Sequence, residues 1–232
     1  MKRRGFLQTA SGAAATVIAR NAFAASPGQQ NAPARLTPPA SGLIQVACAI
    51  SKGTTEIDYI GPEAVFETWS TDPVTKKPTP RFKIFTVGES KDPVDGRIPD
   101  FTFDTAPTPH LVVVPAQRGS PALVAWLKRV APMADLTMSV CIGARHLAAA
   151  RLLDGKTATT HHGAIAQFEK EYPNVHWIRN VRFVEHDKVA TGGGLTAGID
   201  LALHVVERYF DRASALAVAE HLEYDGRRWI SD

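Results

Sequence analysis

The sequence predicts an α/β fold in which a mostly parallel sheet lies between two layers of helices, a three-layer α/β/α sandwich. Strand-like and helix-like patterns alternate along residues 42–232, and such alternation is typical of a parallel sheet covered on both faces. Continuous apolar runs such as Leu111–Val114 indicate parallel strands buried on both sides. A short, mostly apolar run ends at Cys141 and is followed by a small-residue turn, which predicts a nucleophile elbow between a strand and a helix.

Strands are predicted where short apolar runs are bounded by turn residues or polar residues. In chain order these runs are residues 43–50, 82–87, 111–114, 136–140, 156–160, 182–186 and 189–191. The last two flank Asp187-Lys188 and predict a β-hairpin. Ligands bind such sheets at the carboxyl ends of the strands, so Cys141 is expected at that edge.

Helices are predicted from the spacing of apolar residues and from the positions of proline and glycine. In chain order they cover residues 62–69, 121–130, 146–153, 163–171, 192–210 and 213–223. Pro62 is expected in the first turn of the first helix, a position that proline favours. Asp154-Gly155 is expected to end the third helix. Asp58 therefore falls in the loop that follows the first strand.

The N-terminus has the layout of a secretory signal, with a basic start, an Ala-rich run at residues 9–18 and a small-residue site at residues 22–24. The paired arginines Arg3-Arg4 indicate the twin-arginine (Tat) export route. We therefore expect a signal peptide at residues 1–25, recognition by the Tat machinery and a periplasmic or secreted protein. Residues 26–41, rich in Pro, Gln, Asn and Ala, are expected to form a linker. The domain is residues 42–232, and no membrane span is predicted, since the apolar run is too short.

The charge and the cysteines exclude several classes of protein. The formal net charge is +3, but four basic residues and no acid lie in the predicted signal, so the mature chain is near −1. The sequence thus offers no evidence for nucleic-acid binding. The two cysteines, Cys48 and Cys141, are not expected to form a disulfide. No Cys/His spacing resembles a zinc site, and we expect neither a metal nor a cofactor.

Cys141 is the strongest candidate for chemistry. The helix N-terminus behind it favours a thiolate through its dipole and its free N–H groups. The alternative is a buried, inert cysteine, because a free cysteine also packs as a small apolar residue. The local sequence leaves both interpretations open.

Two other residues are candidates at the same edge of the sheet. His161 follows a predicted strand in Thr159-Thr160-His161-His162, and a histidine near a cysteine can act as a base or orient water; a surface or capping histidine is the alternative. Asp58, expected in the loop after the first strand, is the second candidate; a solvated loop carboxylate is the alternative. The glycine triplet at residues 192–194 either cradles an anion or forms a tight turn.

Five segments in this order resemble the ThiJ/PfpI family, of the class I glutamine-amidotransferase-like superfamily with its flavodoxin-like fold. They are residues 58–66, 111–115, 139–144, 152–161 and 197–203. The resemblance implies that Cys141 is the elbow nucleophile, that Asp58 hydrogen-bonds or protonates the thiol, and that His161 is the nearby histidine. It also implies an oxyanion hole formed by the N–H groups of Ile142 and Gln117, a small-molecule substrate and a homodimer.

The sequence is most similar to the isonitrile-hydratase-like branch of that family, whose reaction adds water to an isocyanide to give an N-substituted formamide. Ile142 stands where many relatives have His or Thr, and Ala116-Gln117 replaces the usual Gly-Gly after Pro115. Gln117 can therefore contribute a side-chain amide. Arg118 and Arg145 follow the two turns and are either carboxylate ligands or solvated arginines.

Three hypotheses for the function follow. The first is a cysteine-dependent hydratase or hydrolase, with a glyoxalase-like enzyme as a variant that uses the same residues. The second is a non-catalytic sensor of oxidants or reactive carbonyls. The third is an effector-binding module, since this domain also occurs fused to DNA-binding regions; we rank it last, because no helix-turn-helix segment follows in this sequence and export argues against transcription.

Overall fold

The computed structural model describes residues 34–68 and 81–230. The predicted signal, the first part of the predicted linker and Trp69 lie outside the described residues. Strands, in chain order, are β1 (Ile44–Ala49), β2 (Phe82–Gly88), β3 (Phe101–Thr102), β4 (Leu111–Val114), β5 (Leu136–Ser139), β6 (Thr157–Ala158), β7 (His176–Trp177), β8 (Phe183–His186) and β9 (Val189–Gly192). Helices are α1 (Ile57–Thr68), α2 (Pro121–Val130), α3 (Ala144–Ala149), α4 (Ile165–Glu171), α5 (Ala197–Tyr209) and α6 (Arg212–His221).

Seven strands form one mixed sheet in the order β3-β2-β1-β4-β5-β9-β8. All neighbouring pairs are parallel except β8 and β9, which pair in the antiparallel sense. The predicted α/β class and mostly parallel sheet are therefore confirmed, and β8 and β9 form the predicted hairpin. The carboxyl ends of β1, β4 and β5 meet at one edge, as their parallel register requires.

Helices cover both faces of this sheet, which confirms the three-layer architecture. Alternate residues of β1 point to opposite faces, as in any strand. Val46 and Cys48 belong to the apolar cluster formed with α1, α5 and α6. Ala47 and Ala49 belong to the cluster formed with α2, α3 and α4.

The helix α2 has the bounds that its sequence predicts. Oγ of Ser120 accepts a 3.2 Å hydrogen bond from the N–H of Leu123 and caps the helix, and Pro121 occupies the first turn. Trp126 and Leu127 are buried against the sheet. The capping serine, the proline in the first turn and the apolar stripe all indicate the same helix, and the predicted bounds therefore match the structure.

The helix α1 corrects the prediction for residues 62–69, because it begins at Ile57 and contains Pro62 in its interior. Proline there removes one N–H donor from the helix. The first turn is nevertheless formed, since the N–H groups of Asp58 and Tyr59 donate to the carbonyl oxygens of Thr55 and Glu56 at 3.1 and 3.0 Å. The apolar side chains of Tyr59, Val65 and Phe66 are buried in the core and offset the cost of the proline, and Asp58 lies on a helix rather than in a loop.

Three further predictions need correction. The helix predicted at 146–153 begins at Ala144 and ends at Ala149, because Arg151 adopts a left-handed backbone with φ +64°. The strand predicted at 156–160 shrinks to β6, which pairs with β7 in a separate two-stranded sheet. The helix after the glycine triplet begins only at Ala197.

The end of the predicted linker contacts the domain. The N–H of Leu36 donates a 2.9 Å hydrogen bond to the carbonyl oxygen of Arg208, and the guanidinium of Arg208 donates back to the carbonyl oxygen of Ala34. Within the part of the chain that the structure describes, no helix combines the length and the apolar character that a membrane crossing requires.

Candidate active site

Cys141 is separated from β5 by Val140 alone and begins a single 3₁₀ turn, Cys141–Gly143, that leads into α3. Its φ is +57°, a conformation that L-residues other than glycine rarely adopt. Two hydrogen bonds hold it: the N–H donates to the carbonyl oxygen of Gly193 at 2.7 Å, and the carbonyl oxygen accepts from Oγ1 of Thr160 at 2.8 Å. This is the strand-to-helix elbow that the sequence predicts.

The elbow packs directly onto the end of β4. A Cβ atom at Gly143 would lie 2.1 Å from the carbonyl oxygen of Val114 and 2.8 Å from that of Pro115, so only glycine fits. The turn at residues 115–117 is thereby held against the elbow.

The resting thiol of Cys141 is not activated in the way the sequence suggests. The side chain is only 8% exposed. Burial raises the pKa of the thiol, and the negative charge of Asp58 raises it further, while the backbone N–H groups of Ile142 and Leu195 lower it through hydrogen bonds to the sulfur. The net direction is upward, although the N–H groups at the elbow act in the direction that the sequence predicts. One of these N–H groups comes from the elbow turn and the other from the segment after the glycine triplet, but burial and the charge of a carboxylate outweigh them.

Asp58 lies in the first turn of α1 and is fully buried. Its Oδ2 accepts a 3.0 Å hydrogen bond from the N–H of Ala116, and its Oδ1 has no hydrogen-bond partner among the described residues. Burial raises the pKa of this carboxyl to about 6, against the opposing effect of the Ala116 N–H. A carboxyl with such a pKa can both give and take a proton near neutral pH.

Gln117 is also buried, with 4% of its surface exposed. Its Nε2 donates to the carbonyl oxygen of Ala49 at 2.9 Å and to that of Pro115 at 3.4 Å. Its Oε1 has no partner within the described ranges. The predicted oxyanion donors therefore lie on adjoining turns, but in the resting site the N–H of Ile142 is directed at the sulfur of Cys141.

His161 is half-buried beside the glycine triplet. Its Nδ1 accepts a 3.2 Å hydrogen bond from the N–H of Gly163, and its Cδ2 would lie 2.6 Å from a Cβ atom at Gly194. Gly194 precedes Leu195, whose N–H donates to Cys141. Among the described residues, no hydrogen bond joins His161 to Cys141 or to Asp58.

Three residues of this site were missed by the sequence analysis: Thr160, His146 and Leu195. Buried His146 shares a 3.1 Å hydrogen bond through Nε2 with the carbonyl oxygen of Gln117; since that oxygen can only accept, Nε2 carries the proton. Burial lowers the pKa of this imidazole and keeps it neutral. A Cβ atom at Gly119 would lie 2.3 Å from the ring. The contacts of Thr160 and His146 join residues 19 and 29 positions apart, so no local spacing could reveal them.

The second cysteine, Cys48, is buried in β1, and both cysteines are free. Burial raises the pKa of the Cys48 thiol strongly, so it is expected to be inert. Over residues 34–68 and 81–230, no group of three or more His, Cys, Asp or Glu side chains is arranged to hold a metal ion.

The model of the DJ-1/PfpI family matches residues 44–208 of this chain. The chain is 34% identical over 133 residues to isonitrile hydratase from Pseudomonas putida, an alignment that covers 54% of this chain and 57% of that protein. It is 32% identical over 106 residues to the HTH-type transcriptional regulator CdhR from Pseudomonas aeruginosa, covering 46% of this chain and 31% of the regulator. The chain thus spans less than two thirds of the length of either relative.

Solved structures show the same architecture. A ThiJ/PfpI family protein from Pseudomonas syringae superposes with a TM-score of 0.66 at 25% identity, covering 89% of this chain and 84% of that one. DJ-1 from Schizosaccharomyces pombe superposes with a TM-score of 0.62 at 17% identity, covering 77% and 98%. At 17% identity, the similarity to DJ-1 concerns the fold alone.

Proposed function

Because the chain belongs to the DJ-1/PfpI family, we propose that it is a cysteine-dependent hydratase that adds water to a small electrophilic molecule, with an isocyanide as the substrate class. Cys141 is the nucleophile and Asp58 moves the proton. The similarity to isonitrile hydratase over 133 residues supports this choice of substrate.

One observation carries the proposal: a buried carboxyl with a free oxygen is held by the turn that packs against the elbow of the buried thiol. Oδ1 of Asp58 has no partner among the described residues, and burial raises the pKa of this carboxyl to about 6. Its charge acts on Cys141, so the two groups are electrostatically coupled. A coupled acid and nucleophile near neutral pH suit a reaction that needs one proton transferred in each step.

The chemistry balances with water as the second reactant. The sulfur of Cys141 bonds to the terminal carbon of the isocyanide, and the thiol proton, carried by Asp58, ends on the same carbon. The product of this step is a thioformimidate. Water then adds to that carbon, one proton passes to the nitrogen, and the carbon–sulfur bond breaks, so that an N-substituted formamide leaves and the thiol is restored.

The direct test is turnover of an alkyl isocyanide by the purified protein, with the formamide measured by NMR. Wild type and Cys48→Ala are expected to produce formamide, since the Cys48 thiol is buried in β1 and burial raises its pKa strongly. Cys141→Ser and Asp58→Asn are each expected to lose roughly 100-fold or more of that rate. Absence of formamide with the wild type would refute the proposal.

The same features favour turnover over a sensor of oxidants. Sensor cysteines combine a low pKa with exposure, whereas Cys141 is 8% exposed and its pKa is raised by burial. A glyoxalase-like enzyme would engage His161, which forms no hydrogen bond with Cys141 within the described residues. The similarity to the regulator covers 31% of that protein and does not argue for a nucleic-acid partner.

The proposal includes export by the Tat route and action in the periplasm, for which the paired arginines and the Ala22-Phe23-Ala24 site are the support. Replacing Arg3 and Arg4 by lysine should then retain the protein in the cytoplasmic fraction. Detection of this double-lysine variant in the periplasmic fraction would exclude the Tat route.

It also includes a homodimer with the site near the interface. Exposed apolar side chains lie on the elements that carry the site: Ile57 and Ile60 on α1 and Leu195 beside the glycine triplet, 39%, 41% and 43% exposed. Light scattering after gel filtration should give twice the mass of the chain. The Ile60→Glu variant should give a lower mass, because the charge weakens the dimer. A monomer at micromolar concentration would contradict this part.

A further inference from the structure

Two buried oxygen atoms beside the elbow lack a hydrogen-bond donor within the described part of the chain, Oδ1 of Asp58 and Oε1 of Gln117. A buried polar atom without a partner destabilises the folded protein. In folded proteins such atoms are satisfied by ordered water where the protein offers no partner. Both atoms are acceptors when Asp58 is ionised, so what they lack is a donor.

The orientation of the Gln117 amide is settled by its partners. Its Nε2 contacts the carbonyl oxygens of Ala49 and Pro115, and a carbonyl oxygen can only accept. The other atom of the amide must therefore be Oε1. The unpaired acceptor therefore does not depend on how the oxygen and nitrogen of this amide are assigned.

Both side chains are anchored on the turn at residues 115–117, which packs on the elbow. Ala116 donates its N–H to Asp58, and Pro115 accepts from Gln117. The same carbonyl oxygen of Pro115 lies 2.8 Å from the place of a Cβ atom at Gly143, two residues after Cys141. The turn at residues 115–117 thus carries the amide, binds the acid and packs on the elbow of the nucleophile.

We propose that Oε1 of Gln117 and Oδ1 of Asp58 together bind one water molecule, and that Gln117 positions this water for attack on the Cys141 adduct. A water has two protons to donate, one for each acceptor, and the carboxylate can take the proton that the water loses. Gln117 is therefore a positioning residue for the second step, and the inference rests on the proposed function. The water oxygen bonds to the thioformimidate carbon, one proton of the water passes through Asp58 to the nitrogen, and the other passes to the sulfur as the carbon–sulfur bond breaks.

Gln117→Met tests this role, because methionine keeps the volume and removes the Oε1 acceptor, together with the two hydrogen bonds that Nε2 donates. Gln45→Met is the matched control: Oε1 of Gln45 is also buried and unpaired, but Gln45 lies near the start of β1, at the opposite edge of the sheet. The two steps are followed by rapid quench with an alkyl isocyanide and by intact mass, which separates free protein from the Cys141 adduct.

In Gln117→Met the adduct is expected to form at close to the wild-type rate and to decay roughly 100-fold more slowly, so that it accumulates. In Gln45→Met both rates should match the wild type. Decay at the wild-type rate in Gln117→Met would overturn the inference, as would an equal slowing of both steps. If the wild type forms neither adduct nor formamide, the proposed function fails instead.

A second measurement does not depend on the substrate. A high-resolution crystal structure of the wild type should show one ordered water within hydrogen-bond distance of both oxygens, and the structure of Gln117→Met should lack it. Protein groups in contact with both oxygens, or no water there in the wild type, would refute the water site whether or not the protein hydrates isocyanides.

Discussion

Oγ1 of Thr160 donates a 2.8 Å hydrogen bond to the carbonyl oxygen of Cys141. Thr160 follows β6, which lies outside the main sheet, whereas Cys141 follows β5 near its centre. Both residues are buried. The bond therefore ties a peripheral segment to the elbow and helps to hold Cys141 at its φ of +57°.

Replacing Thr160 by valine should lower the free energy of unfolding by about 1–3 kcal/mol, because the carbonyl oxygen of Cys141 is left buried without this donor. Urea denaturation measures the change. Thr160→Ser keeps the hydroxyl and is the control, with an expected loss of less than about 1 kcal/mol. Equal losses in the two variants would show that the methyl group, not the hydrogen bond, matters.

Asp58→Asn should make Cys141 more reactive toward iodoacetamide near neutral pH. Burial and the charge of Asp58 both raise the pKa of the thiol, and the substitution removes the second cause while it keeps the size of the side chain. The pH profile of labelling, followed by intact mass, should move to lower pH. Asp104→Asn removes a charge from an exposed side chain and should leave the profile unchanged. Slower labelling of Asp58→Asn would instead show that Asp58 acts as a base toward the resting thiol.

Asp58 should also make the stability of the protein depend on pH. Its pKa rises from an ordinary 3.8 to about 6 in the folded state, so its contribution to stability is complete below about 3.8 and is lost as the pH rises through about 6. At pH 7.5 the Asp58→Asn protein should be about 1–2 kcal/mol more stable than the wild type, and the gap should shrink at pH 4.5. Urea titrations at the two pH values give the comparison.

Asp100 offers a control of opposite sign for that experiment. Burial raises the pKa of this carboxyl, but hydrogen bonds from the N–H and Oγ1 of Thr86 outweigh burial, and the net pKa is lowered. Its contribution to stability is present above the ordinary pKa and is lost as the pH falls. Asp100→Asn should therefore destabilise the protein at pH 7.5, and a gain in stability there would contradict the assignment.

Gly143→Ala should cost about 3 kcal/mol or more, or prevent folding, because the new Cβ would lie 2.1 Å from the carbonyl oxygen of Val114. Gly193→Ala is the matched control, since a Cβ there meets nothing closer than 3.4 Å and should cost less than about 1 kcal/mol. Thermal unfolding of both variants distinguishes them. A Gly143→Ala protein as stable as the wild type would mean that the elbow does not pack on β4 as described.

The sequence by itself determined the fold class, the three layers, the hairpin of β8 and β9 and the elbow at Cys141. These features depend on local periodicity and on turn residues, which a single stretch of sequence carries. Local signals were misleading where tertiary burial outweighed them. Pro62 marks a helix start by preference, yet α1 begins at Ile57, and the apolar side chain of Tyr59 in its first turn is buried in the core. The strands β3 and β7 have two residues each, too few to show any period.

The chemistry of the site was decided by the tertiary structure. The sequence placed Cys141 at the start of a helix, from which a stabilised thiolate follows if the helix acts alone. In the folded protein the same sulfur is buried beside the charge of Asp58, and the direction of its pKa shift is reversed. Burial and the approach of residues far apart in the chain, such as Asp58 and Ala116 or Thr160 and Cys141, exist only after folding, and electrostatic energies depend on those distances and on the exclusion of water.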